Sequence, residues 1–227
     1  MAYPLIAGHL YDPPGPNCGI SNTGDYRHAS VLVPFLQLQG QWHILFEKRA
    51  DGIRQGGEVS FPGGGIEVDD ENSRSAAVRE TAEELGIEAA KIEVPGLFGR
   101  FIGAMDTLID TYVGMLQIKS LSQLSISPAE VDSVFTLPFS YFLETDPAEY
   151  SVLMRAYSKI EKPDGSTEVL FPAEELGLPE RYHSSWQGKP TKVYVYPNKP
   201  HTIWGITAKI LVYLCWWYRA LPESGNS

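Results

Sequence analysis

The spacing of apolar and polar positions along this chain changes period several times, and each change predicts an element. His28 to Leu38 and Trp42 to Lys48 are apolar and rich in strand formers. Gln39-Gly40-Gln41 separates them, so they read as a hairpin. From about Asn72 to Leu85 the period becomes helical. Val78, Thr81, Ala82 and Leu85 share the side that can pack on a sheet, and Glu80, Glu83 and Glu84 share the other. Asp69, Asp70, Asn72 and Ser73 are N-cap candidates, and Gly86 suits the left-handed position past the last turn. Lys91 to Gly103 and Thr107 to Ile118 predict two more strands. After a polar loop from Leu121 to Pro128, Ser133 to Pro138 predicts a short strand and Phe139 to Pro147 a short helix. Ser151 to Ile160 and Thr167 to Phe171 flank the turn Pro163-Asp164-Gly165-Ser166 and read as a second hairpin. Lys192 to Tyr196 predicts a strand, and Ile203 to Leu221 a terminal helix covering the sheet.

These elements predict one domain over residues 28–221, preceded by a Pro- and Gly-rich extended arm (1–27) and followed by a flexible tail (222–227). Residues 150–195 read as an insertion suited to substrate recognition. Tyr157, Tyr182 and Trp186 there could stack on adenine or simply pack. Trp216 and Trp217 on the terminal helix could form a homodimer face or core.

The helix over 72–85 breaks a local rule. Glu80, Glu83 and Glu84 crowd its C-terminal half, where the helix dipole disfavours negative charge. Glu80 and Glu84 also repel at i,i+4. Such violations collect at functional sites, and a divalent cation would turn this repulsion into attraction. Carboxylate-only clusters suit Mg²⁺ or Mn²⁺, whereas zinc would want His or Cys. Arg79 can pair with Glu83 one turn on, and Glu71 at the helix entry can orient another side chain. By itself, an E-x-x-E-E string is more often a solvated acidic face.

The wider spacing changes that weighing. Gly65, Glu71, Arg79, Glu80, Glu83, Glu84, Gly86 and Ile87 fill every fixed position of G-x5-E-x7-R-E-x-x-E-E-x-G-I. This pattern resembles the Nudix box, with Thr81 where a larger aliphatic residue is usual. The resemblance implies an α/β fold, a Nudix-type α/β/α sandwich with a mixed β-sheet. It also implies hydrolysis of a nucleoside diphosphate linked to another moiety. By the same resemblance Glu80 and Glu84 bind metal, Glu83 binds metal or helps deprotonate the attacking water, and a backbone carbonyl at Gly64 or Gly65 completes the set. Arg79 belongs to the same catalytic group.

Upstream, Arg49-Ala50-Asp51-Gly52-Ile53-Arg54-Gln55-Gly56-Gly57-Glu58-Val59-Ser60-Phe61-Pro62-Gly63-Gly64 looks like the extra signature of coenzyme A pyrophosphatases, with Gln55 where a His is frequent. Ile203-Trp204-Gly205-Ile206-Thr207-Ala208 looks like a second motif of that group. The physical reading agrees. Gly63 and Gly64 let the backbone approach phosphate, and Arg49 and Arg54 can fork onto its oxygens. The implied reaction gives 3′,5′-ADP and 4′-phosphopantetheine. The alternatives are hydrolysis of ADP-ribose, NADH or dinucleoside polyphosphates, or a domain that senses a nucleotide without cleaving it. Glu130 and Asp132 read as solvated loop charge, with a catalytic role for Glu130 as the alternative.

The net charge of −10 argues against nucleic acid or an anionic membrane as partner, leaving a small nucleotide. Met1-Ala2-Tyr3-Pro4 lacks the marks of a signal peptide, and Ile203 to Leu214 is too short and interrupted to span a bilayer. Two cysteines, Cys18 and Cys215, suggest no disulfide framework, which fits a reducing cytoplasm.

Overall fold

Strand β1 (Arg27–Leu38) sits at the centre of the sheet and explains its mixed character. The computed structural model describes residues 26–103 and 106–221, so residues 1–25 of the expected arm, Cys18 and the tail lie outside the described residues. The chain divides into two compact units, one running to Pro147 and resuming at Val195, the other Ala148–Tyr194. After β1 come β2 (Gln41–Arg49), β3 (Val59–Ser60), β4 (Gly63–Gly65), α1 (Ser73–Leu85), β5 (Ile92–Gly103), β6 (Thr107–Leu116), β7 (Val131–Pro138) and α2 (Phe139–Glu144). The second unit holds β8 (Ala148–Val152), β9 (Arg155–Ala156), β10 (Lys159–Glu161), β11 (Thr167–Val169), β12 (Trp186–Gln187) and the first residues of β13 (Thr191–Tyr196). The chain returns through the end of β13 to β14 (Ile203–Trp204) and α3 (Gly205–Ala220).

The expected first hairpin forms. Leu38 pairs with Gln41, leaving Gln39 and Gly40 as a two-residue loop, both at positive φ (50° and 78°). That turn matches the right-handed twist of the strands. On its other edge β1 runs parallel to β6, from Arg27 opposite Thr107 to Phe35 opposite Met115. It also runs antiparallel to β4, with Ser30 opposite Gly64. β2 pairs antiparallel with β3 and β7, and β5 with β6.

Alternation along the strands builds two cores. Leu32 and Leu36 of β1, Leu45 of β2 and Tyr112 and Leu116 of β6 pack with Ala77 and Leu85 of α1. The intervening residues face an aromatic layer. Phe35 meets Phe139 edge-on at 5.2 Å, and Phe46 stacks on Phe61 at 5.3 Å and Phe135 at 5.4 Å. Tyr218 of α3 closes on Phe139, and Trp217 on Phe98. One helix on one face and two on the other give the α/β/α sandwich that the resemblance implied.

Helix α1 begins where expected. The Asn72 side chain accepts from the Arg74 and Ser75 N–H groups, and Ser75 Oγ accepts from Asn72 N–H. It ends at Gly86, left-handed at φ 61°. A Cβ there would run into the Ser125 backbone carbonyl, in a loop tied to the helix end by Ser125 N–H to Leu85 O and Ser127 N–H to Glu84 O. Gly86→Ala is expected to cost about 2 kcal/mol or more, combining the left-handed penalty with steric displacement. Urea denaturation measures it; a loss within about 0.5 kcal/mol, the size of a neutral surface change, would mean the turn yields freely.

Three expectations need correction. Glu84 does not share the open side of α1 with Glu80 and Glu83; it is buried with Ala76, Ala77, Thr81 and Leu85. The terminal helix starts at Gly205, because Ile203 and Trp204 pair as a strand with Tyr196 and Val195. The second hairpin is shorter than the sequence suggests, with Lys159–Glu161 against Thr167–Val169. The N–H groups of Leu170 and Phe171 both turn to Ser158 O, which ends that ladder, and Arg155–Ala156 pairs with Trp186–Gln187 instead. Within the same unit Tyr182 and Trp186 pack edge-on against each other at 5.4 Å. No described helix is long and apolar enough to cross a membrane.

Candidate active site

Arg79 is the hub from which the acidic face of α1 is organised. Its Nε and Nη2 donate to the two oxygens of Asp70, at 3.0 and 2.9 Å. Nη1 reaches Glu80 Oε1 at 3.0 Å and Glu83 Oε2 at 3.2 Å, and Nη2 also donates to Gly65 O at 3.2 Å. The planar guanidinium thus fixes the loop carbonyl and two box carboxylates in one plane of donors. The Asp70 side chain is only 4% exposed and also accepts from Glu67 N–H. The Arg79 bonds hold its carboxyl below the usual range. Asp70, read from sequence as a helix cap, is therefore the anchor of Arg79, while Glu71, expected to do the orienting, is exposed.

The three box glutamates occupy different environments. Glu83 is open, its side chain 58% exposed. Glu80 lies directly against Gly64, where any Cβ would intrude on its carboxyl group. Burial pushes the Glu80 carboxyl above its ordinary range, with Arg79 opposing. Glu84 is 3% exposed and accepts from Gly63 N–H at 2.8 Å. So Gly63, expected to let the backbone approach phosphate, gives its N–H to a carboxylate.

Glu84 also faces Glu47, which is fully buried on β2. Both carboxyls are pushed up, each first by burial; Glu84 is raised further by the charge of Glu47. Sequence reading missed Glu47, yet a signal was there. It stands two residues after Leu45, on the core-facing side of a strand, where alternation calls for an apolar residue.

Arg49 and Arg54 line one cleft together with Gly63, Gly64 and Gly65, and Arg49 Nε donates to Arg54 O at 3.2 Å. Arg27 and His28 from β1 and Ile206, Thr207 and Ile210 from α3 complete its walls. Thr207 Oγ1 donates to Val59 O, tying the start of α3 to β3. Glu130 is exposed but close enough for its charge to raise Glu47 and Glu80. Asp132 pairs with Lys48 at 3.1 Å on the other side of β2.

The donors fit a hard divalent cation. Glu80, Glu83, Glu84 and the Gly65 carbonyl all offer oxygen donors, and two buried carboxyls face each other with Arg49 as the cation beside them. Among the described residues no three acidic, His or Cys side chains converge on one point, and Arg79 holds Glu80 and Glu83. Gly64→Ala is expected to push Glu80 aside and lower kcat by about 10²-fold, since small misplacements of a catalytic group cost that much. Circular dichroism should show the fold retained; unchanged turnover would remove the Glu80–Gly64 contact from the site.

The NUDIX domain family model matches residues 26–192. The peroxisomal coenzyme A diphosphatase of Mus musculus is 36% identical over 115 residues, covering 50% of this chain and 48% of that protein. The chain therefore spans about half the length of that relative. The mitochondrial coenzyme A diphosphatase of Mus musculus is 28% identical over 184 residues, 80% of this chain and 73% of that protein. An uncharacterized Nudix hydrolase of Photorhabdus laumondii subsp. laumondii is 28% identical over 185 residues, 82% and 81% of the two chains.

Proposed function

This chain belongs to the Nudix family of pyrophosphohydrolases, and on that premise we propose that it cleaves the phosphoanhydride of coenzyme A. The observation that carries the reading is the placement of Arg49 and Arg54, from the upstream signature, beside the loop of Gly63 to Gly65 that abuts Glu80 and Glu84. Water replaces one side of the anhydride, and the products are 3′,5′-ADP and 4′-phosphopantetheine. Two curated relatives are coenzyme A diphosphatases, which supports this choice of substrate.

Glu80, Glu83 and Glu84, with the Gly65 carbonyl, would hold Mg²⁺ or Mn²⁺. When bound, such an ion would neutralise charge on the diphosphate and acidify a water. Arg49 and Arg54 bind and orient phosphate oxygens from the open side of the cleft. Arg79 positions Glu80, Glu83 and the Gly65 carbonyl without itself reaching substrate. Glu83, the open carboxylate next to this hub, would bind metal or accept a proton from the attacking water. We assign residues 150–195 to substrate recognition, the cytoplasm as compartment, and the exposed Trp216 to a homodimer face.

The test compares kcat/KM for coenzyme A, ADP-ribose, NADH and diadenosine polyphosphates with Mg²⁺ or Mn²⁺, and identifies products. Coenzyme A should lead and release 3′,5′-ADP. Preference for another substrate would sink the specificity but keep the reaction class, and no hydrolysis of any would favour a sensing domain. Arg54→Ala is expected to raise KM about tenfold with a smaller change in kcat, the pattern for a group that contacts only bound phosphate. An unaltered KM would exclude Arg54 from the cleft's contacts.

A further inference from the structure

We propose that Glu47 is a fourth carboxylate of the metal centre and shares the innermost divalent cation with Glu84. The inference rests on the metal-dependent reading above and extends it to a residue outside the box. Glu47 is on β2 opposite Ser60 of β3, and its side chain is 0% exposed. Ser60 Oγ donates to Glu47 Oε1 at 2.9 Å, and Arg49 Nη1 stands 3.6 Å from the same oxygen. Those two groups hold Oε1 from the side of the strand. Oε2 is buried with no N–H or hydroxyl donor against it and faces the Glu84 carboxyl, with which it can share a proton.

A buried carboxylate oxygen with no donor is costly once ionised, and a second carboxylate opposite makes it more so. Arg49 cannot settle that cost alone, because its charge also serves the substrate cleft. On the other side Glu84 Oε2 already accepts from Gly63 N–H, which orients that carboxyl toward the loop. The pair is thus braced from behind, by Ser60 on one carboxyl and Gly63 on the other. A divalent cation held by this pair would supply two positive charges and a ligand bond for Glu47 Oε2. Glu47 would then differ in task from Glu80 and Glu83, which Arg79 holds at the open side.

The experiment titrates Mn²⁺ into the full chain by calorimetry and electron paramagnetic resonance, without substrate. Wild type, Glu47→Gln and Glu84→Gln are compared. Glu47→Gln should weaken the tightest Mn²⁺ site by about tenfold or more, as expected for loss of a charged ligand. It should also shrink the rise in melting temperature that Mn²⁺ produces. Wild-type Mn²⁺ affinity in Glu47→Gln, with binding lost in Glu84→Gln, overturns the inference and leaves the proposed function standing. Unchanged affinity in both variants overturns the metal assignment itself. If Glu47→Gln does not fold, a crystal structure of the wild-type protein with Mn²⁺ decides. Anomalous density within about 2.5 Å of Glu47 Oε2 supports the role, and density bound by Glu84 but not Glu47 overturns it.

Discussion

Glu84→Gln is expected to lower kcat by about 10²- to 10⁴-fold, the range for removing a group that acts on charge in the transition state. The variant should fold, and its metal-free form should melt no lower than wild type. The reason is its setting. Glu84 lies buried against Glu47, so the metal-free fold already favours its neutral form, and an amide oxygen can still accept from Gly63 N–H. The pH dependence has a definite sign. Folding raises both carboxyls above their ordinary range, to about 7 for Glu47 and about 9 for Glu84. Between the unfolded value and those values the native state binds more protons than the unfolded chain. Stability of the metal-free protein must therefore fall as pH rises through that window. Glu84→Gln should flatten the fall, because one raised group is gone and the other loses its charged neighbour. Thermal melts in chelator across the window give the slope, and single-turnover assays give the rate. Equal slopes in both proteins, or turnover near wild type, would contradict the placement of Glu84.

Arg79→Ala should be the most damaging change to the fold of the site. It removes both donors to the little-exposed Asp70 and the contacts to Glu80, Glu83 and Gly65 O in one step. We expect about 2 kcal/mol of lost stability, the scale of losing charge-assisted hydrogen bonds to a shielded carboxylate. Turnover should fall about 10²-fold, as a positioning defect. Arg79→Lys should recover little of either, since a point charge cannot fork onto Asp70 and still reach the α1 carboxylates. Asp70→Asn should share part of the defect. Full activity in Arg79→Lys would show that charge, not geometry, is what Arg79 provides.

Much of the fold was legible because its signals are local. The β1–β2 hairpin, the limits of α1 and the β5–β6 pair follow from alternation, a capping Asn and turn glycines. The start of α3 was misplaced because Ile203 and Trp204 fit helix and strand alike, and only pairing with Val195 and Tyr196 decides between them. The second hairpin was overextended because nothing in the sequence shows Ser158 O taking two N–H groups out of register. In the site, motif spacing singled out Arg79 and the box glutamates, but periodicity put Glu84 on the wrong side of the helix. A buried carboxylate has no signature of its own. It needs a partner from a distant strand, and Glu47 lies 37 residues earlier in the chain. Asp70 was likewise visible only as a cap, since its bond to Arg79 depends on how the loop folds back.

The parallel pairing of β1 with β6 also bears on how the protein assembles. β1 holds Gly63 to Gly65 in place, yet its own long edge closes only when residues 107–115 arrive, some 80 positions later. Contacts of that sequence separation carry a large closure entropy and slow the search for the native topology. The hairpin and α1 can form from neighbouring residues, whereas the loop of Gly63 to Gly65 gains its lasting support only after the distant strand has docked. A growing chain would thus carry the complete box motif well before it holds a working cleft.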